Sequence, residues 1–370
     1  MPGMDAAPTA TTLTAPAVAY TGRLAPLYRL MLVNLALTIV TLGIWRFWAR
    51  TRIRRFLWAH TTVAGEAFEY TGTGGELLKG FLRALVIFLP LGLLVGFGQL
   101  FLPEPVVPFV TIAVYLLLSF LALVGAFAAQ RYQLRRTTWR GIRFGMDGSP
   151  FAYGRAMLWR WLLLPFTLFM MLPWIAAAAL RRTLGQARFG SARATFIGEG
   201  GTLFPWMILA VGVFFLALVP GLAIVGGPMW GAAQVMFDPT GRRMPVDPTW
   251  IVVGVVAFFG VLTFAFAMAG AVYAAATMRF TYANSTLGGL RFDFTRSISR
   301  TAWFLIGNAL LVLLSLGLLL PYALHRRMHY LAAGVTVTGT LDLAAIAQAT
   351  AGEQYGEGLA DALGLDSGPI

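Results

Sequence analysis

The sequence predicts an all-α polytopic membrane protein with repeated short β/turn loops on its cytoplasmic face. Three observations carry that prediction. Seven long apolar segments, at about 27–48, 80–102, 106–130, 156–180, 203–227, 250–278 and 302–324, contain no acidic side chain. A run of ~20 apolar residues matches a hydrocarbon core ~30 Å thick. The composition agrees: of 370 residues 58% are hydrophobic and 12% charged, with a mean hydropathy of +0.74, which leaves too little polar surface for a soluble domain. The runs are continuous rather than alternating, so a transmembrane barrel is not expected. Each run must satisfy its own backbone hydrogen bonds in lipid, which makes the helix the default.

Taken in order, residues 1–26, rich in Ala, Thr and Pro, read as a disordered tail. Residues 27–340 read as one transmembrane domain built from repeats, and 341–370 as an acidic tail. Ala17-Val18-Ala19 resembles a cleavage site, but no apolar core precedes it. No removable signal peptide is expected, and the first apolar segment stays in the mature chain. The net charge is +13, and all but Lys79 of the basic residues are arginine. In a membrane protein the positive-inside rule accounts for this charge, so anionic lipid headgroups, not nucleic acid, are the expected partners. There is no cysteine, which excludes disulfides and thiol chemistry.

One pattern recurs just outside the apolar segments. Thr62, Gly65 and Phe68 in the first copy match Thr138, Gly141 and Phe144 in the second and Thr286, Gly289 and Phe292 in the third. An aromatic residue stands six positions before each Thr: Phe56, Tyr132 and Phe280. Looser copies, Ala194-Thr195-Phe196-Ile197-Gly198 and Val335-Thr336-Val337-Thr338-Gly339, match Phe68-Glu69-Tyr70-Thr71-Gly72. Alternation with period two predicts short strands. Gly65, Gly141 and Gly289 are expected to supply the positive φ of tight turns. Several such hairpins could pair into a small sheet capping the helices. Turn geometry and packing are the ordinary roles for these nine residues, with ligand binding the sharper alternative.

Thr41-Leu42-Gly43-Ile44 followed by an Arg-rich run, the Thr-x-x-Gly-x-x-Phe loops, and the tail Glu357-Gly358-Leu359-Ala360-Asp361-Ala362-Leu363-Gly364-Leu365-Asp366 together resemble the YjgN family of bacterial inner-membrane proteins of unknown function. Leu172-Pro173 departs from the Leu-Gly pair at the corresponding place in the middle of the chain. The resemblance implies a multi-pass protein of the bacterial inner membrane and implies no reaction.

Two topologies compete. If all seven segments cross, Lys and Arg divide 18 to 10 between the two sides. If segments one, four and seven dip in and return, the division is 26 to 2, with only Arg242 and Arg243 on the far side. Gly43, Pro165, Pro173, Gly317 and Pro321 offer break points for such re-entrant segments. The charge bias favours four crossings with the Arg-rich loops cytoplasmic, although segment seven is long enough to span unaided.

Candidate chemistry is sparse. Asn34 and Asn308 are polar groups within apolar segments, suited to helix–helix hydrogen bonds or to lining a polar path. His325 and His329 share a helix face but lack a third metal ligand nearby in sequence. Glu66, Glu69 and Glu76 cluster beside arginines and read as ion pairs. Gly72-Thr73-Gly74-Gly75 and Gly198-Glu199-Gly200-Gly201 read as helix entry turns, without a phosphate-loop Lys. No catalytic, cofactor or metal residue emerges, and an enzyme is not expected. Broken helices and internal repeats recur in transporters, so a transporter or channel-like role is the first expectation, by analogy. The alternative is a non-transporting scaffold or anionic-lipid-interacting protein. The acidic residues Asp342, Glu353, Glu357, Asp361 and Asp366 suggest a tail that docks on the basic loop surface.

Overall fold

The computed structural model describes residues 12–14, 17–236, 248–343 and 346. Two short strands, β1 (Thr12–Thr14) and β2 (Val18–Tyr20), precede the first helix pair, α1 (Leu24–Val40) and α2 (Arg46–Ala59). A hairpin of β3 (Thr61–Val63) and β4 (Glu66–Tyr70) follows. The same order then recurs. The pair α3 (Gly74–Phe97) and α4 (Val107–Arg135) leads into β5 (Thr137–Trp139) and β6 (Ile142–Met146). The pair α5 (Pro150–Leu162) and α6 (Leu172–Thr183) leads into β7 (Ala187–Phe189) and β8 (Ala192–Phe196). The pair α7 (Gly200–Met236) and α8 (Pro248–Ala283) leads into β9 (Ser285–Leu287) and β10 (Leu290–Phe294). Last come α9 (Ile298–Leu314), α10 (Leu320–Ala332) and β11 (Val335–Asp342).

The protein is mostly helical, but the loops form far more than a set of isolated turns. Among the described residues eleven strands join in one antiparallel sheet, in the order β1-β11-β10-β9-β8-β7-β6-β5-β4-β3-β2. β2 lies beside β11, so the sheet curls nearly into a barrel. Residues 12–14 and 18–20, expected in a disordered tail, are strands here, because β11 and β3 offer them backbone partners. At the other end β11 runs to Asp342. Arg242, Arg243, Glu353, Glu357, Asp361 and Asp366 lie outside the described residues.

The strand pairing bears on the two topologies. Phe68 pairs with Trp139, Phe144 with Phe189, Ala194 with Leu287 and Phe292 with Val337. For the first helix pair, the Thr21 N–H donates to the His60 carbonyl (2.9 Å). Each helix pair therefore leaves and rejoins the sheet at one place. Seven crossings would set β6 and β7 on opposite sides of the bilayer, where they could not exchange hydrogen bonds. Among the described residues four helices are long and apolar enough to cross: Gly74–Phe97, Val107–Arg135, Gly200–Ala223 and Val252–Ala283. Segments one, four and seven instead break into short helix pairs.

The breaks follow local stereochemistry. Leu42 (φ 50°) and Gly43 (φ 91°) end α1, and Leu316 (φ 49°) with Gly317 (φ 86°) separates α9 from α10. The Gly43 N–H reaches the Thr38 carbonyl (2.7 Å) and the Leu42 N–H the Ile39 carbonyl (3.1 Å), the paired bonds of a Schellman terminus. In the middle pair Leu168 (φ 48°) and Phe169 (φ 63°) do the same without glycine. These tips are apolar and bare: Leu42 is 94% and Leu316 92% exposed. Exposed leucines at helix-pair tips suit hydrocarbon rather than water. Helix starts are equally local. Thr73, Ser149 and Ser297 accept from the backbone N–H three residues on and cap α3, α5 and α9.

The chain divides into two compact units. One comprises Met1–Gly200, Thr281–Thr295 and Leu316–Ile370, and holds the whole sheet. The other comprises Gly201–Phe280 and Arg296–Ser315. In the second, Ala271 and Ala275 of α8 meet Ala302 and Ile306 of α9, small residues that let the backbones approach. In the first, a β-carbon on Gly74 would lie 2.8 Å from the Trp48 backbone, and one on Gly200 2.6 Å from that of Trp174. The glycine-rich entry turns thus serve close packing of each helix start.

Candidate functional site

The sheet encloses an apolar lumen, and strand periodicity explains why. Alternate residues face opposite sides of a sheet. Phe68, Phe144 and Phe292, the shared Phe of the sequence pattern, all line the same cavity of about 690 Å³. Val18, Val63, Trp139, Met146, Phe189 and Val337 line it from the other strands. Four rings form an arc around the wall. Phe68 lies 6.4 Å from Trp139 and 6.1 Å from Phe144, and Phe189 lies 5.7 Å from Trp139 and 4.7 Å from Phe144.

The two ends of the lumen differ. Its turn end holds a buried cluster of Trp139, Phe189, Leu290, Val337 and Leu341, with Leu343 and Ile346 packed against it. Its other end is rimmed by residues at helix ends: Trp58, Gln133, Thr183, Tyr282 and Met328. Hydroxyls at this rim turn back to the helices. Thr61 donates to the Leu57 carbonyl (2.8 Å), Thr137 to that of Gln133 (2.8 Å) and Thr183 to that of Ala179 (3.0 Å). The Trp58 indole N–H donates to the Thr137 hydroxyl (3.1 Å). Among the described residues, Tyr282 is the one ionisable side chain in the lining.

The remaining pattern residues do not join this site. Thr62, Thr138 and Thr286 bond across to the neighbouring strand: to the Ala19 carbonyl (3.4 Å), to Glu69 Oε2 (3.3 Å) and to the Thr195 hydroxyl (2.6 Å). Gly65 (φ 83°) and Gly141 (φ 74°) occupy their turns as expected. Gly289 does not: the positive φ of that turn falls on Gly288 (φ 59°). Gly289 instead lies against the Thr340 carbonyl, where a β-carbon would collide. The loose match at Val335–Gly339 also shifts. Val337 pairs with Phe292 as Trp139 pairs with Phe68, so β11 stands where the first strand of a hairpin stands, not the second.

Asn34 is buried, and its Oδ1 accepts from the Trp45 indole N–H (3.2 Å) at the α1–α2 break. Asn308 is half-buried in α9 and belongs to the other compact unit. The three glutamates separate. Glu76 accepts from the Tyr132 hydroxyl (2.7 Å) and pairs with Arg136 (2.7 Å), while Glu69 takes Thr138 and the Glu66 carbonyl takes the Trp139 indole (3.1 Å). Several arginines are committed to the scaffold. Arg55, Arg131 and Arg181 donate to the carbonyls of Gly72, Gly148 and Gly198 at 2.7, 3.3 and 3.0 Å.

His325 and His329 do share a face, with ring centres 4.6 Å apart, and the Tyr20 ring lies edge-on to both. His325 Nε2 lies 3.0 Å from the Gly22 carbonyl. No group of three metal-ligating side chains occurs among the described residues. Burial pushes the Tyr20 hydroxyl up to about 12. Burial, then the neighbouring His325, pushes the His329 imidazole below its usual value. The unfolded chain therefore binds more protons between that lowered value and ~6.5. The stability contributed is complete above ~6.5 and is lost as pH falls through the folded value. Hydrogen-exchange protection of the β2 amides is expected to decline from pH 7 to pH 5, and a His329→Gln variant to flatten that decline.

Sequence reasoning missed the lumen and its main residues, Trp139, Phe189, Leu290 and Leu341. The available signal was the alternation Ile142-x-Phe144-x-Met146 and Leu290-x-Phe292-x-Phe294.

A stretch of 154 residues is 29% identical to the inner membrane protein YjgN of Salmonella typhimurium, covering 41% of this chain and 36% of that protein. Another of 123 residues is 32% identical to the inner membrane protein YjgN of Escherichia coli O157:H7, covering 33% of this chain and 29% of that protein. The matched region thus spans about a third of the length of these curated relatives. No solved structure matches. The profile of a family described as bacterial proteins of unknown function (DUF898) matches residues 15–362, nearly the whole chain, and the chain belongs to that family.

Proposed function

We propose that this is a multi-pass protein of the bacterial inner membrane that binds the apolar part of a membrane amphiphile in the lumen of its sheet. The observation that carries the reading is the cavity of about 690 Å³, walled by aromatic and aliphatic side chains and rimmed by the ends of membrane-entering helices. Ligand pockets of this size and character bury most of a small ligand. A lining almost without ionisable groups favours a neutral, apolar occupant over an ion. Exposed arginines such as Arg140 and Arg193, at or beside the hairpin turns, supply charge for anionic headgroups near the membrane surface. The names of the relatives support the inner membrane, and the charge bias supports a cytoplasmic sheet.

The lumen is read as the product of an internal repeat. Five helix pairs each return to the sheet, and β11 with β2 stand as the two halves of a fifth hairpin that joins the chain ends. Transport of the bound amphiphile is the second reading, favoured by the three broken helix pairs. Reporter fusions at Gly148 and Gly190 test the topology. Both are expected to read cytoplasmic, and a periplasmic signal at Gly190 alone would reject the one-sided sheet. Binding is tested by purifying the protein in nanodiscs and crosslinking it to photoactivatable lipids. Labelling should fall on lumen strands rather than on the outer faces carrying Thr62 and Thr286.

A further inference from the structure

Resting on that reading of the lumen, we propose that the occupant is one hydrocarbon chain of a membrane lipid, inserted tail first, and that Leu341 at the turn end sets the chain length accepted. The direction follows from the two ends of the cavity. Its open rim is made by residues at the ends of α2, α4, α6, α8 and α10, helices or helix pairs that enter the membrane. Its turn end holds residues flanking the hairpin turns, Trp139, Phe189 and Leu290, buried in one cluster with Leu341. A chain sliding from the bilayer meets the rim first and the cluster last.

The depth suits a lipid tail. Five-residue strands such as β6 and β10 rise ~3.3 Å per residue, giving walls of about 17 Å. One leaflet of hydrocarbon is about half of a ~30 Å core, so a tail of leaflet length is matched to the lumen. The chemistry agrees. Phe68, Phe144, Phe189 and Phe292 present ring faces and edges to the cavity, and no charged side chain lies in the described lining to receive a headgroup inside. The polar end of the lipid stays at the rim, within reach of the arginine-bearing loop face.

Leu341 is fixed where a stop is needed. It is 5% exposed and lines the cavity. Its Cδ1 sits over the β9–β10 turn so closely that a β-carbon on Gly288 would come within 2.8 Å of it. Behind it Leu343 and Ile346 pack on the same cluster, so the stop is backed by the chain leaving β11. Removing its isobutyl group deepens the lumen, and a ring in its place shortens it, because the surrounding cluster relaxes only in part.

The test uses full-length protein in nanodiscs and a series of phospholipids whose acyl chains end in a diazirine, differing only in chain length. Wild type should crosslink at strands β5, β7, β10 and β11 with one favoured length. Leu341→Ala should move that optimum longer by about two methylenes, and Leu341→Phe should move it shorter by a similar step. Crosslinks that persist with the same optimum in all three proteins would overturn the length stop and leave lumen binding standing. Crosslinks absent from these strands at every length in the wild type would overturn both. Should Leu341→Phe fail to fold, the sign of the Leu341→Ala shift decides alone: an unchanged or shorter optimum rejects the proposal.

Discussion

Replacing Phe189 by alanine is expected to destabilise the sheet-bearing unit by about 3–5 kcal/mol, the usual cost of deleting a buried aromatic ring. Phe189 is 1% exposed, and its ring lies 5.7 Å from that of Trp139 and 4.7 Å from that of Phe144, on β5 and β6 of the lumen wall. Its backbone also holds the β6–β7 ladder opposite Phe144. The loss combines the transfer of the ring to water with the cavity left behind. Leucine at the same place should restore more than half of the difference, since it refills most of the volume. Ile197, one strand away but 73% exposed, supplies the control: its alanine variant should change stability by less than about 0.5 kcal/mol. Thermal unfolding of the three variants in nanodiscs checks the ranking, and equal shifts for Phe189→Ala and Ile197→Ala would show that the lumen wall is not the core of this unit.

Much of the local structure was legible in the sequence, and the physical reason is that it is set by short spacings. Thr41-Leu42-Gly43-Ile44 and Ser315-Leu316-Gly317-Leu318 announce their helix breaks, because a Leu-Gly pair can turn left-handed at small cost. Phe-x-Tyr alternation announces the hairpins. The closure of those hairpins into one wall was not legible, because it depends on pairing between hairpins that are separated by whole membrane helices. The third hairpin, β7–β8, hid its place by carrying Ala194 where the others carry Phe68, Phe144 and Phe292. The strand role of Val335–Gly339 is ambiguous in the sequence for a related reason: period-two alternation is the same on either arm of a hairpin, and only register distinguishes them. The lumen itself could not be seen by searching for charged or metal-binding clusters, since its chemistry is a continuous apolar lining.

Gly289 and Gly65 stand at matched places in the sequence pattern, yet their substitution should have unequal effects. Gly65 is left-handed (φ 83°) with nothing within 4 Å of a would-be β-carbon, so Gly65→Ala adds backbone strain alone, about 1 kcal/mol. Gly289 carries no positive φ, but a β-carbon there collides with the Thr340 carbonyl, and Gly339 faces the Gly289 carbonyl in the same way. Backbone meets backbone at that point, so no side chain can move aside. Gly289→Val is therefore expected to cost about 3 kcal/mol or more by overpacking. The damage should be local in character. The ladder from Leu290–Gly339 to Phe294–Val335 would open first, and Leu341 would leave the turn end of the lumen. Hydrogen exchange should speed up along β10 and β11 in Gly289→Val while β3 and β4 keep their protection. The opposite pattern, with Gly65→Ala the more damaging of the two, would mean that turn conformation rather than the approach of β11 holds this part of the sheet.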